Sequence, residues 1–138
     1  MNVTARVVIV GTLAFALGCG GPATPSAGRV AAGAWGGDHL RVDVTAGGAT
    51  TEYDCGHGTI DEPLVLDGNS RFAASGTHTF DHPGPIRVGE VPDRHPARYD
   101  GHAAGDTLQI TVTITDPRQT LGSFSVTLGA ASRLVKCL

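Results

Sequence analysis

The chain has 138 residues, enough for one domain behind an export segment and too few for two. Hydrophobic residues make up 41% and charged residues 17%, which excludes a uniformly disordered chain. The 13 acidic residues outnumber the 10 basic ones, and lysine occurs only at Lys136, so no basic stripe follows a phosphate backbone and nucleic-acid binding is excluded.

Met1 to Arg6 carries one cation, and Val7 to Leu17 carries no charge and leads into Gly18-Cys19. A cationic start, an apolar run and a small-residue site read as a signal peptide over residues 1–18. The run falls short of the ~20 apolar residues that a membrane-spanning helix needs. Ala16-Leu17-Gly18-Cys19 resembles the lipobox of bacterial lipoproteins, in which a small residue precedes a cysteine that is lipidated and becomes the new N-terminus. Gly18 and Cys19 match, while Ala16 stands where a large aliphatic residue is usual. The resemblance implies a multiply acylated, palmitate-type anchor on Cys19, which would hold the membrane firmly. The alternative is an ordinary secretory signal with an incidental Cys19. Gly20 to Ala32 is rich in Gly, Pro, Ala and Ser without an apolar period, so residues 19–32 read as a flexible tether. The expected location is the bacterial cell envelope, with the domain periplasmic or at the cell surface. Gly20, in place of an aspartate after the cysteine, favours the outer membrane.

Residues 33–138 read as an all-β domain, because period-two alternation recurs and no window carries the spacing of an amphipathic helix. Leu40, Val42 and Val44 share one face of a first strand, and Gly47-Gly48 turns it. Thr50 to Cys55 forms a second, and Pro63 to Leu66 a short third before the turn at Asp67-Gly68-Asn69. Arg71 to Phe80 aligns Phe72, Ala74, Gly76, His78 and Phe80 on one face. After the loop from Asp81 to Pro96 come Ala97 to Ala103, a Gly105-Asp106 turn, and a strand in which Leu108, Ile110, Val112 and Ile114 oppose a threonine-rich face. Phe124, Val126 and Leu128 mark the next strand and Arg133 to Leu138 the last. The expected architecture is a small antiparallel up-and-down β-barrel of about eight strands, with a β-sandwich as the alternative.

Gly33-Ala34-Trp35, just before the first strand, resembles the G-x-W signature of lipocalins and related small barrels. The resemblance implies that Trp35 plugs one end of the barrel and that Arg133 covers it. The lipocalins' second motif, with its Thr-Asp-Tyr, is missing. In size the domain is more similar to the small secreted barrel inhibitors of bacterial metalloproteases, although their protease-inserting N-terminal trunk has no counterpart here.

Setting Cys19 aside leaves Cys55 and Cys137, an even pair in a compartment that permits disulfides, so a Cys55–Cys137 bond is expected. A thiolate or metal ligand within Asp54-Cys55-Gly56-His57 is the competing reading. The histidines His39, His57, His78, His82, His95 and His102 raise a metal site as a further possibility, with His78, Asp81, His82 and His95 the most suggestive group. No HExxH, G-x-S-x-G or phosphate-cradling glycine loop is present, and Asp61-Glu62 are adjacent rather than opposed, so no catalytic residue is assigned and no cofactor is expected. The expected function is a non-catalytic binding module. Trp35, Tyr53, Phe72, His78, Phe80, Tyr99 and Arg133, with Phe124, would hold a small hydrophobic ligand. The alternatives are a solid barrel whose Asp81–Pro96 loop docks a protease or envelope protein, and a histidine-based metal-binding or enzymatic domain.

Overall fold

A computed structural model describes residues 28–137 and shows an all-β chain. Its strands are β1 (Gly33–Gly37), β2 (Leu40–Val44), β3 (Ala49–Tyr53), β4 (Gly56–Ile60), β5 (Arg71–Phe80), β6 (Asp93–Ala104), β7 (Thr107–Thr115) and β8 (Arg118–Leu128). Each pairs antiparallel with its neighbours in sequence, and β8 returns to β1 through Trp35↔Leu128, Gly36↔Thr127 and Gly37↔Val126. The up-and-down barrel expected from the alternation therefore forms. The sandwich alternative is overturned, since bonding of β8 to β1 leaves no open sheet edge. The signal segment 1–18, Cys19 and the linker up to residue 27 lie outside the described residues.

Several boundaries differ from the sequence expectation. Trp35 lies within a strand, β1, rather than before the first one. β4 was not anticipated, because two of its three buried positions are Gly56 and Gly58, which carry no apolar signal. Pro63 to Leu66 is not a strand of the barrel. It meets the incoming chain instead, through Val30 N–H donating to Leu64 O at 3.0 Å and Leu66 N–H donating to Gly28 O at 2.7 Å. β6 begins at Asp93, four residues before the apolar pattern, because the long β5 carries it outward through the pairs Phe80↔Asp93 and His78↔His95. Arg133 to Leu138 adds no strand, since β8 already occupies the edge of β1. Arg133 keeps only an isolated bridge to Asp38.

The middle of the barrel is filled. Leu108, Ile110, Val112 and Ile114 of β7 are at most 2% exposed, and the first three pack in one cluster with Leu40, Val42, Tyr99 and Val126. Inward glycines make room for large neighbours: a Cβ on Gly58 would stand 2.6 Å from Tyr99 Oη, and one on Gly101 would collide with the Phe72 ring. The two ends differ. At one, Val30 and Leu64 are buried across the opening and Trp35 Nε1 donates to Ala31 O at 3.0 Å, so this end is capped. At the other lie the β3–β4 turn, the loop between β5 and β6, and the C-terminal segment, which Cys55–Cys137 ties to the barrel.

Candidate functional site

A cavity of about 230 Å³ opens at this second end, and Tyr53, His78, Phe80, Leu121 and Phe124 form its inner wall. Parity brings them together. Tyr53 ends β3, His78 and Phe80 are successive inward positions of β5, and Phe124 faces in from β8. Their rings meet edge to face: Tyr53 with His78 at 4.8 Å, His78 with Phe80 at 4.7 Å, and Tyr53 with Phe124 at 5.6 Å. Leu121 arrives by a different route. β7 and β8 pair Val112 with Gly122 but Thr113 with Thr120, so Leu121 is an extra residue in a bulge that turns its side chain to the cavity. Gly56 completes the arrangement, since a Cβ there would stand 2.9 Å from the imidazole of His78.

The wall carries an electrostatic anomaly. Deeper in the barrel, Tyr99 Oη donates to Thr77 O at 2.7 Å and lies 3.4 Å from Thr51 Oγ1. The Tyr53 hydroxyl lies beside these same Thr51 and Tyr99 hydroxyls without a well-formed hydrogen bond, and His78 Nδ1 is buried without a partner. Leaving such a group unpaired costs about 1–3 kcal/mol. Burial pushes the Tyr53 hydroxyl pKa upward and keeps it protonated. Burial, followed by the nearby His57, pushes the His78 pKa below 6.5, so the imidazole is neutral at pH 7.

The rim is charged but internally paired. His39 Nδ1 meets Asp54 Oδ2 at 2.6 Å, and Val135 N–H donates to Asp54 Oδ1 at 2.8 Å. That backbone bond, followed by His39, holds the Asp54 carboxyl below its ordinary range. Lys136 Nζ donates to Tyr53 O at 3.0 Å and pairs with Glu52. Farther out, His57 pairs with Asp81 at 2.9 Å, His95 with Asp93 at 2.8 Å, and His82 with Glu90. The histidines thus take carboxylate partners singly. Among the described residues no three His, Cys, Asp or Glu side chains converge on a point that could hold a metal, so the grouping of His78, Asp81, His82 and His95 is not formed. Cys55 is consumed by its disulfide, which removes the thiolate reading.

Of the residues expected to line a ligand cavity, Tyr53, His78, Phe80 and Phe124 do so. Trp35 is locked in the capped half, Phe72 packs toward that same end, and Tyr99 is fully buried at the waist. The Arg133 side chain is 82% exposed and pairs with Asp38, so it does not cover Trp35. Leu121, His39 and Asp54 line the cavity without having been anticipated, and only the register shift in β8 or the path of the C-terminal segment would have indicated them.

The loop joining β5 to β6 runs from Asp81 to Pro92, shorter than expected because β6 starts early. It leans on the outer wall, where Thr79, an outward residue, is only 4% exposed, and it projects Ile86, Val88 and Val91 into solvent.

Comparison with models of protein families, with curated proteins and with solved structures finds no match to this chain.

Proposed function

We propose that this chain is an exported, lipid-anchored barrel that binds a small, largely apolar ligand in the cup at its open end and performs no chemistry on it. The observation that carries this reading is the cup itself: an aromatic-walled cavity of about 230 Å³ at the open end of a barrel whose middle is filled. The disulfide Cys55–Cys137 supports export, because such bonds persist in oxidising compartments. The signal-like residues 1–18 and Gly18-Cys19 support the anchor. Gly28 and Val30 enter across the capped end, so a tether from Cys19 would leave the cup facing away from the membrane.

Native mass spectrometry of the full chain, matured in an exporting bacterial host and released in detergent, tests the reading. A bound adduct on the wild type that is absent from Leu121→Trp, which fills the cup, is the expected result. An adduct of equal occupancy on both would place binding elsewhere. Cys19→Ala should convert the membrane-bound protein into a soluble one, and a variant still fractionating with membranes would end the anchor proposal.

A second reading is favoured by one observation, the exposure of Ile86, Val88 and Val91 on the 81–92 loop, which suits contact with another envelope protein. Ile86→Ser with Val88→Ser should then abolish partner crosslinking in cells while leaving ligand capture unchanged.

A further inference from the structure

We infer that the open edge of β8 beside the cup accepts an extended peptide as an added antiparallel strand, which seats one bulky apolar side chain in the cup. This rests on the reading of the cup as an apolar site and names the carrier of the apolar group as a polypeptide rather than a free molecule.

β8 is 11 residues long, but β1 pairs only with its last stretch, Val126 to Leu128. Among the described residues no strand pairs with the remainder on that side, because the chain leaves β1 at Gly37 and turns through His39, at φ 67°, into β2. The register with β7 shows what is left over. Leu128 N–H donates to Asp106 O at 2.9 Å, and from that bond alternation sends the N–H and C=O groups of Phe124 and Gly122 to β7 and those of Ser125 and Ser123 to the open side. Such an edge is a template for another strand.

The edge and the cup adjoin. Leu121 and Phe124 of β8 wall the cavity on one side, and His39, Asp54 and Cys55 wall it on the other, so the cup lies along the gap that β1 leaves. A strand added to β8 in the direction of β1 would hydrogen-bond to Ser125 and Ser123 and set the residue between those bonds opposite Phe124. Residues directly opposite share a face, so that side chain enters the cup. Main-chain bonds then give affinity, and the pocket for one alternate side chain gives specificity. An engineered cavity of about 150 Å³ takes benzene, and the cup, at about 230 Å³, suits one phenylalanine or leucine side chain.

Charge and composition choose the occupant. Arg118, exposed at the start of β8 and in no ion pair among the described residues, lies ahead of the incoming strand and favours an acid on the C-terminal side of its apolar residue. A second copy of β8 is the poorer match, since its own Leu121 and Phe124 already wall its own cup.

Titration of the full, disulfide-bonded chain with a blocked seven-residue peptide, threonine and serine around a central phenylalanine with glutamate near the C-terminal end, tests the inference, with toluene as the free apolar probe. Calorimetry should show the peptide binding, and amide exchange should show the Ser123 N–H becoming protected. N-methylation of the two residues that flank phenylalanine removes the N–H groups facing β8 and should weaken binding by at least about tenfold, as two main-chain bonds are lost. N-methylation of the phenylalanine itself, whose N–H points away from β8, should not. Ser123→Pro removes an edge donor that has no bond to β7 and should abolish peptide binding while toluene still binds. Arg118→Gln should weaken the peptide by about twofold to fivefold, the scale of an exposed ion pair. Equal affinity of the two N-methylated forms, or binding of toluene without the peptide, would overturn strand addition and leave the apolar cup standing. A dimer of the chain that Ser123→Pro dissolves would assign the edge to a second copy and overturn the inference. Binding of neither probe would overturn both the inference and the reading beneath it.

Discussion

The two ends of this barrel are built from the same alternating strands and closed by different means. At the capped end, Val30, Leu64 and Trp35 are packed at 6%, 2% and 2% exposure, and the indole N–H has its acceptor in Ala31. At the cupped end, a bulge, a glycine at position 56 and a disulfide-tethered tail surround a cavity, and the buried His78 Nδ1 has no hydrogen-bond partner. One end is arranged for stability, and the other gives some of it up. Such a local departure from satisfied packing is the expected mark of a site that serves something other than folding.

The contrast is broken most directly by large substitutions at each end. Trp35→Ala should lower unfolding free energy by about 3–5 kcal/mol, the cost of emptying a filled core position, while the folded fraction still captures ligand. A loss in urea denaturation small enough to match a surface change would erase the distinction between the ends. The disulfide is the cupped end's own anchor, spanning a sequence separation of 82. Cys55→Ser with Cys137→Ser should cost about 2–4 kcal/mol through the unfolded chain. It should also free the Asp54 and Tyr53 backbone contacts of residues 135–137 to exchange with solvent. Amide exchange rising equally at both ends would contradict that localisation.

The same division governs what could be read from the sequence. Leu40 to Val44 and Leu108 to Ile114 announce themselves, because alternating apolar side chains are the physical requirement for lining a filled barrel. Half of the cup was legible for the same reason: Tyr53, His78, Phe80 and Phe124 sit in phase with those patterns. The rest depends on events that leave no periodic trace. β4 hides because two of its three inward residues are glycines, whose value lies in the rings of His78 and Tyr99 that they admit from other strands. Leu121 enters through a bulge, and Arg133 fails to reach Trp35 because closure between β1 and β8 was decided by strands far from it.

Glycines sharpen the comparison at a smaller scale. Gly58→Ala places a Cβ 2.2 Å from the Thr77 carbonyl oxygen, 2.6 Å from Tyr99 Oη and 2.9 Å from Thr51 Oγ1, an overpacking that should cost at least about 1–3 kcal/mol. Gly68→Ala, in a turn beyond the capped end with nothing within 4 Å, should change stability by less than about 0.5 kcal/mol. Thermal melts of the pair check this, and equal shifts would show that the barrel interior near Tyr99 has slack.

The smallest expected effect separates the ends by pH. His78 has a folded-state pKa below 6.5, so as pH falls below 6.5 the unfolded chain takes up a proton that the folded chain refuses, and stability declines toward the folded value. His82, exposed and bonded to the Pro83 carbonyl and Glu90, is raised and acts in the opposite sense: its contribution is present below 6.5 and lost as pH rises through its folded value. Both histidines belong to the cupped end. At the capped end, Asp67 is held below 3.8 by the N–H groups of Arg71 and Asn69, so its contribution is present above 3.8 and lost only as pH falls through its lower folded value. Mild acid should therefore loosen the wall around His78, while the 81–92 loop held by His82 and the cap held by Asp67 stay in place. Amide exchange should accelerate first around Tyr53 and His78 and only later around Asp67, and His78→Phe should remove the first phase. Simultaneous loosening of both ends in mild acid would mean that the barrel opens as one unit and that its two ends share a single stability.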